Sequence, residues 1–237
     1  MTDLLSQAKK AYKEKGIAYV SLAGARMVLD QVVFPFAKVA RRGRFFEFNG
    51  ESYPYLCRRY NHAWDSERSV EVPIIWKIVQ KHGGRILEVG NVLSHYFPCT
   101  HDIIDKYERE KGVVSCDVVD YRPMERYELI VSISTLEHVG FDPPEEPNPT
   151  KITQALDNLV TNCLAPGGNV VVTLPLGYNL LMDRSLLEDA FPFTRLHYMR
   201  RISRDNVWVQ TDVTDAMNAK YGFPFRNANV VAVAMIT

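Results

Sequence analysis

Glycine and polar residues recur at the ends of short β-branched runs in this sequence, where residues of these types can bind a ligand. The run Ile86-Leu87-Glu88-Val89 exits into Gly90, Asn91, Ser94 and His95. Asp105 ends a second run at 102–105, and Asp117 ends a third at 113–117. A fourth, Leu129 to Ile133, exits into Ser134-Thr135-Leu136-Glu137-His138, and a fifth, Asn169 to Leu174, into Pro175-Leu176-Gly177-Tyr178-Asn179. Parallel α/β sheets bind ligands at the carboxyl ends of their strands. A glycine at the first exit lets backbone approach the ligand closely. An acid ~15–20 residues further on can take both hydroxyls of a ribose, and Asp105 is the candidate. Asp117 is placed to accept from an adenine amino group.

The elements that must position these residues follow from periodicity. From Arg85 onward, β-branched runs alternate with polar or helical stretches, which predicts a βαβ sheet. Residues 150–164 form an amphipathic helix with Ile152, Ala155, Leu156, Leu159, Val160 and Cys163 on one side, capped by Thr150 and stopped by Pro166-Gly167-Gly168. Two later β segments, near 195–203 and 229–236, flank a helix at 212–221. About ten residues separate Gly90 from the second strand, close to the lower limit for a crossover. The alternative makes 101–111 a helix and 113–117 the second strand, which leaves no room for a third strand before Leu129. Upstream, residues 3–14 and much of 17–40 read as helical. Residues 45–64 read as irregular and aromatic-rich, and a helix follows with Pro73 in its first turn. Residues 1–80 are therefore expected to form a helical and aromatic cap, and 81–237 the sheet domain.

Three segments in order carry a family resemblance. "RILEVG", Arg85 to Gly90, resembles motif I of class I S-adenosylmethionine-dependent methyltransferases. "YELIVSISTLEHVG", Tyr127 to Gly140, is similar to their fourth-strand motif, especially in the small-molecule type. "LAPGGNVVVTLP", Leu164 to Pro175, resembles their helix-turn-strand signature. The resemblance covers roughly residues 84–176. It implies a Rossmann-like, seven-stranded, mostly parallel sheet with a final antiparallel strand, and S-adenosyl-L-methionine as cofactor. It places Glu88 and Gly90 near the methionine end, Asp105 at the ribose, Asp117 at the adenine, and Ser134 to Leu136 beside the adenine or the methyl group. The usual further glycines are absent after Gly90. Asn91, Val92, Leu93 and Ser94 stand there instead, and Asn91 tolerates left-handed backbone.

The implied chemistry is methyl transfer, in which alignment of the acceptor dominates. A hydroxyl acceptor also needs a base. His138 is the candidate and Glu137 the fallback. The plainer reading is that His138 orients a loop or bonds the cofactor. Tyr178, Asn179 and His95 are candidates to touch the acceptor, and Tyr60, Asn61, Trp64 and Arg68 to cover the site from the cap, beside His62. The proline-rich loop at 141–150 reads as a rigid connection, although Asp142, Glu145 and Glu146 could join His138 around a divalent ion. No metal is expected. The favoured activity is O-methylation of a small polar molecule such as a sugar or glycan precursor. The alternative is a methyltransferase-like binding module without turnover. A nicotinamide-dependent oxidoreductase would want GxGxxG after the first strand, and no second glycine follows Gly90 until Gly112.

Composition agrees with a folded enzyme handling a small molecule. Hydrophobic residues make up 46% of the 237 and charged residues 24%, which is globular rather than disordered. Lysine plus arginine and aspartate plus glutamate both number 28, so no basic excess points to nucleic acid. Cys57, Cys99, Cys116 and Cys163 form no CxxC pair and suit a reducing compartment as free thiols. No signal-peptide pattern is read at the start, so the expected location is cytoplasmic. One membrane hint is residues 17–44, an apolar stretch ending in Arg41, Arg42 and Arg44, which could lie on an anionic surface. A helix packed on the protein with a solvated basic end is the favoured alternative.

Overall fold

The computed structural model describes residues 32–143 and 146–237. It divides into two compact units, Met1–Gly43 and Arg44–Thr237. In the first, α1 covers residues 32–40, leaves Val32, Phe36 and Val39 exposed, and ends in a turn at Gly43 with φ +73°. The helical face expected at 3–14, and residues 17–31 of the basic-ended stretch, lie outside the described residues. No described helix is long and apolar enough to cross a membrane. The segment 44–81, expected to be cap, falls in the same compact unit as the sheet.

That unit opens with a hairpin, where the sequence reading expected irregular chain. Strands β1 (Phe45–Phe48) and β2 (Glu51–Pro54) pair antiparallel around Asn49-Gly50. Both turn residues have positive φ, 49° and 74°. A two-residue turn of this hand matches the twist of its strands, and Asn-Gly is its preferred sequence. A six-residue 3₁₀ segment follows at Tyr60–Asp65. Helix α2 spans Arg68–Lys81, so Pro73 sits inside it rather than in its first turn. Proline has no N–H to offer the carbonyl of Ser69 four residues earlier. The N–H of Leu56 donates to that carbonyl instead, at 3.0 Å.

The main sheet holds β3 (Ile86–Val89), β4 (Asp102–Ile104), β5 (Val113–Val114), β6 (Tyr127–Ile133), β7 (Leu164–Pro175), β8 (Arg195–Arg201), β9 (Trp208–Thr211) and β10 (Val230–Ile236). Their spatial order is β5-β4-β3-β6-β7-β10-β8-β9. The first five run parallel, and β10 runs antiparallel between β7 and β8. This is a Rossmann-like fold. The chain winds outward from β3 through β4 to β5, then returns to β6 on the other side. The switch point therefore lies between β3 and β6, where such sheets bind ligands. The sheet has eight strands, not seven. The extra one, β9, pairs antiparallel with β8 at the edge, and the Asn49 turn binds Gln210 there by two hydrogen bonds of 2.8 and 3.0 Å.

Val89 lies opposite Ile104, which fixes the second strand at 102–104 and excludes the helix at 101–111. The β3–β4 connection accommodates only a 3₁₀ turn, Leu93–His95. Helix α3 (Lys151–Asn158) runs into a π turn, Leu159–Cys163. Its start is not capped by the Thr150 side chain. Asn148 Oδ1 accepts from the Thr150 N–H at 3.1 Å, one turn earlier. Two short helices follow, α4 (Leu180–Leu187) and α5 (Val213–Met217).

Side chains alternate across the sheet as the pleat requires. Ile130, Val170, Val172 and Ala232 pack with α3 and α4 on one face. Leu129, Val131, Ile133 and Val171 pack with α2 and the hairpin on the other. Trp208 of β9 is buried in this second layer, and its Nε1 donates to Asn206 Oδ1 at 2.7 Å. Trp208→Ala should cost ~3–5 kcal/mol in urea denaturation, a figure typical of a fully buried large aromatic. A loss under ~1 kcal/mol would show that β9 is not integral to the fold.

Candidate active site

The turn after β3 is organised by Glu88, which is fully buried. Its Oε1 accepts from the N–H groups of Val92 and Leu93, at 2.9 and 2.8 Å. Its Oε2 lies 2.8 Å from His101 Nε2. The resemblance placed Glu88 beside a cofactor. The structure shows it holding the turn. Gly90 makes the sharp step with φ +84°, and a Cβ there would overlap the Thr135 side chain. Asn91 does not take left-handed backbone, so the missing glycines are not replaced by a permissive asparagine. Instead the Asn91 N–H donates to Asp105 Oδ2 at 3.3 Å and its Nδ2 donates to Glu108 Oε2 at 2.5 Å. The bond of His101 to Glu88 was not foreseen from the sequence. The ligand atoms of Glu88, Cys99 and His101 lie within 4.8 Å of one another, the one such set among the described residues that could hold a metal ion. Burial, with the nearby Glu88 charge, pushes the Cys99 thiol up to about 12, which opposes the thiolate a metal would need.

Beyond these strand ends lies a mainly apolar cleft of about 400 Å³. Gly90, Asp105, Asp117, Val118, Thr135 and His138 are among its lining residues. That volume falls within the ~300–1,000 Å³ range of small-ligand pockets. Asp105 Oδ1 accepts from the N–H groups of Tyr107 and Glu108 at 2.8 and 2.9 Å, which fixes the carboxylate in the cleft lining. Asp117 Oδ2 is gripped by Lys106 and Lys151, at 2.7 and 2.8 Å. Burial disfavours the Asp117 carboxylate, but the two lysine bonds outweigh it and hold its pKa below the ordinary range.

A second, polar cleft of about 250 Å³ opens on the other side of His138. It is lined by the 3₁₀ segment, the start of α2, the exits of β6 and β7, and the loop before β10. Glu67, Arg68, Ser134 and Glu137 line it, and Glu71 lies behind them. Arg68 donates to Glu71 Oε2 at 3.2 Å, to the Ile133 carbonyl at 3.0 Å and to the Ser134 carbonyl at 3.4 Å. Ser134 Oγ donates to Glu71 Oε1 at 2.5 Å. Ser134 also carries φ +39°, strained backbone for a non-glycine residue. Glu67 Oε2 accepts from the Ala228 N–H at 3.1 Å. Burial, reinforced by the Glu71 charge, raises Glu67 to about 7. Burial pushes Glu137 well above the usual carboxylate range, and Arg68 opposes this only in part.

His138 is the wall that the two clefts share. Its Nδ1 lies 2.6 Å from Asp142 Oδ2 and its Nε2 lies 3.4 Å from Glu137 Oε1. Tyr178 packs edge-on against the ring at 5.1 Å and donates to Asp142 Oδ1 at 2.8 Å. The clefts thus unite His138, Glu137, Asp105, Asp117, Gly90, Ser134 and Tyr178. Glu88, Asn91, His95, Leu136 and Asn179 do not line them. Leu136 is buried in the core. Asn179 caps α4 through Met182 N–H and donates to the Glu137 carbonyl at 2.9 Å, so it positions rather than contacts. His95 stacks on Tyr60 at 4.3 Å, outside both clefts. Asn61, His62 and Arg68 do line the polar cleft, whereas Tyr60 and Trp64 do not.

Sequence reasoning missed Ser66, Glu67, Glu71, Lys106 and Lys151. A signal existed in "SERSVE", Ser66 to Glu71, where three charges directly precede the apolar run Val72 to Trp76. Buried charge is costly unless it is used or paired.

No protein-family model matches the chain, and no curated protein matches it. Among solved structures it is similar to the N-methyltransferase NodS from Bradyrhizobium japonicum in complex with S-adenosyl-L-homocysteine. Identity there is 16%, TM-score 0.43, with 71% of this chain and 85% of that one covered. It is also similar to the sugar N-methyltransferase KedS8 from Streptoalloteichus (10%, TM-score 0.36, 70% and 86% covered). A third is the 1,6-didemethyltoxoflavin-N1-methyltransferase of Burkholderia thailandensis (10%, TM-score 0.40, 81% and 98% covered). What those proteins bind is a property of theirs, and the clefts here are read from their own residues.

The raised pKa of Glu67 makes stability depend on pH. The native state favours its protonated form, so this contribution is present at low pH and lost as pH rises through about 7. Glu67→Gln mimics the protonated form. Its melting temperature relative to wild type should therefore be higher at pH 8 than at pH 5. Melting curves that stay parallel across that range would contradict the assignment.

Proposed function

We propose that this chain is an S-adenosylmethionine-dependent methyltransferase, with the cofactor's nucleoside in the apolar cleft and a small polar acceptor in the polar one. The observation that carries this reading is that one side chain, His138, divides two adjoining clefts at the switch point of a Rossmann-like sheet. Transfer needs the reacting atoms ~3–3.5 Å apart and in line. Adjoining cavities with a thin common wall suit that requirement.

The residues fit a nucleoside. Asp105 spends part of its hydrogen-bonding capacity on amides of its own loop. A carboxylate has about four lone-pair sites, so capacity remains for ribose hydroxyls. Asp117 is committed to two lysines, and an adenine would rest on Val118 and Val139 instead. When bound, the cofactor supplies an electrophilic sulfonium methyl. The chain's own residues orient the acceptor, exclude water and handle a proton. Asp142 and Tyr178 fix the His138 ring, which leaves Nε2 facing Glu137. That oriented histidine can take a proton from an acceptor in the polar cleft.

Calorimetry with S-adenosylmethionine should show micromolar binding by wild type and at least a tenfold loss in Asp105→Ala. No binding by a folded wild type would overturn the enzyme reading and favour a module without turnover.

A further inference from the structure

The polar cleft holds two oxygens that its own residues leave unanswered. Ser66 is 3% exposed and Glu137 is 1% exposed, and both line the cleft. Among the described residues, neither Ser66 Oγ nor Glu137 Oε2 has a hydrogen-bond partner. Buried polar atoms are nearly always paired, so an orphan in a pocket calls for a ligand, an ion or a bound water. Two orphans in one cleft share that need.

The surrounding charge says what kind of ligand. Three carboxylates, Glu67, Glu71 and Glu137, gather about one guanidinium, that of Arg68. Arg68 is already engaged with Glu71 and two backbone carbonyls. The other charged or titratable groups facing the cleft are His62, His138, Arg226 and the hydroxyls of Tyr178 and Tyr221. Arg226 is exposed at the rim and does not enter the buried cluster. Oxygens of these three carboxylates do not converge as a metal set would. A protonated amine suits the site better. It brings three donors and no acceptor, to meet two acceptor oxygens, and its positive charge lets Glu137 ionise. The cleft of about 250 Å³ equals about eight waters of liquid at ~30 Å³ each, enough for an amine on one small ring.

We propose that the polar cleft recognises the acceptor through a protonated amino group held by Glu137 and Ser66, so that the molecule methylated is a small amine rather than a simple alcohol. This rests on the methyltransferase reading and narrows its acceptor. The proton balance is explicit. Burial shifts free Glu137 toward its protonated form. The entering ammonium favours the carboxylate, and a proton displaced from Glu137 leaves to solvent. Before transfer, the same carboxylate can take a proton back from the ammonium and expose its lone pair.

The test uses matched probes on the whole chain saturated with S-adenosyl-L-homocysteine: glucosamine against glucose, and cyclohexylamine against cyclohexanol. Calorimetry at pH 7 should show each amine binding at least tenfold tighter than its alcohol. Runs in phosphate and in Tris, whose ionisation enthalpies differ, should show net proton release on amine binding. In Glu137→Gln the amine preference and the proton release should both vanish while S-adenosyl-L-homocysteine still binds. Alcohols binding as tightly as amines, or no amine binding at all, would overturn the inference and leave the methyltransferase reading intact. Failure of S-adenosyl-L-homocysteine itself to bind would instead remove that reading. The wild-type comparison decides the matter even if Glu137→Gln does not fold.

Discussion

The Arg68 guanidinium ties the cap-side helix α2 to the end of strand β6, and the rest of the site is arranged around that tie. It binds the carbonyls of Ile133 and Ser134 just where β6 leaves the sheet. Ser134 then turns through strained backbone and donates to Glu71 on the same helix as Arg68. One residue later, Thr135 faces the apolar cleft and packs against Gly90 of the β3 turn. A buried cation is tolerated only with counter-charge and full hydrogen bonding. That demand explains why glutamates accumulate around it, while burial, against the pull of Arg68, pushes Glu67 and Glu137 up. A structural tie and an acid-rich cleft are thus consequences of one side chain.

The glycine-poor turn after β3 shows how a different residue set can reach a ligand-ready geometry. Glycines would give the chain freedom to turn. Here Glu88 reaches forward and receives two successive amides, while His101 secures its other oxygen. The turn is held by hydrogen bonds rather than permitted by missing side chains. Asp105 performs a parallel service at the next strand end, bracing its own loop and the Asn91 amide. The floor of the apolar cleft is therefore built largely from carboxylate-to-amide bonds.

Much of this was legible in the sequence because periodicity reports burial. The order β3, β4, β5, β6, β7 and the position of Asp105 followed from short apolar runs and the space between them. The hairpin at Phe45–Pro54 was missed although Asn49-Gly50 marks it, because strands of four residues each are too short to show a clear alternation. Strand β9 is four residues of mixed polarity at an edge, so it has almost no periodic signal. In the site, His138, Glu137 and Tyr178 were found because they follow strands. Ser66, Glu67 and Glu71 were not, since a helix-borne acid joins a site only through tertiary packing, and Leu136 was misplaced because a strand exit does not say which way each side chain turns.

The most direct measurement is a crystal structure of this chain grown with S-adenosyl-L-homocysteine. The account predicts the nucleoside in the cleft beside Asp105 and Val118, with the thioether sulfur next to His138 and facing the polar cleft. A ligand bound elsewhere, or one whose sulfur points away from Glu137, would contradict it.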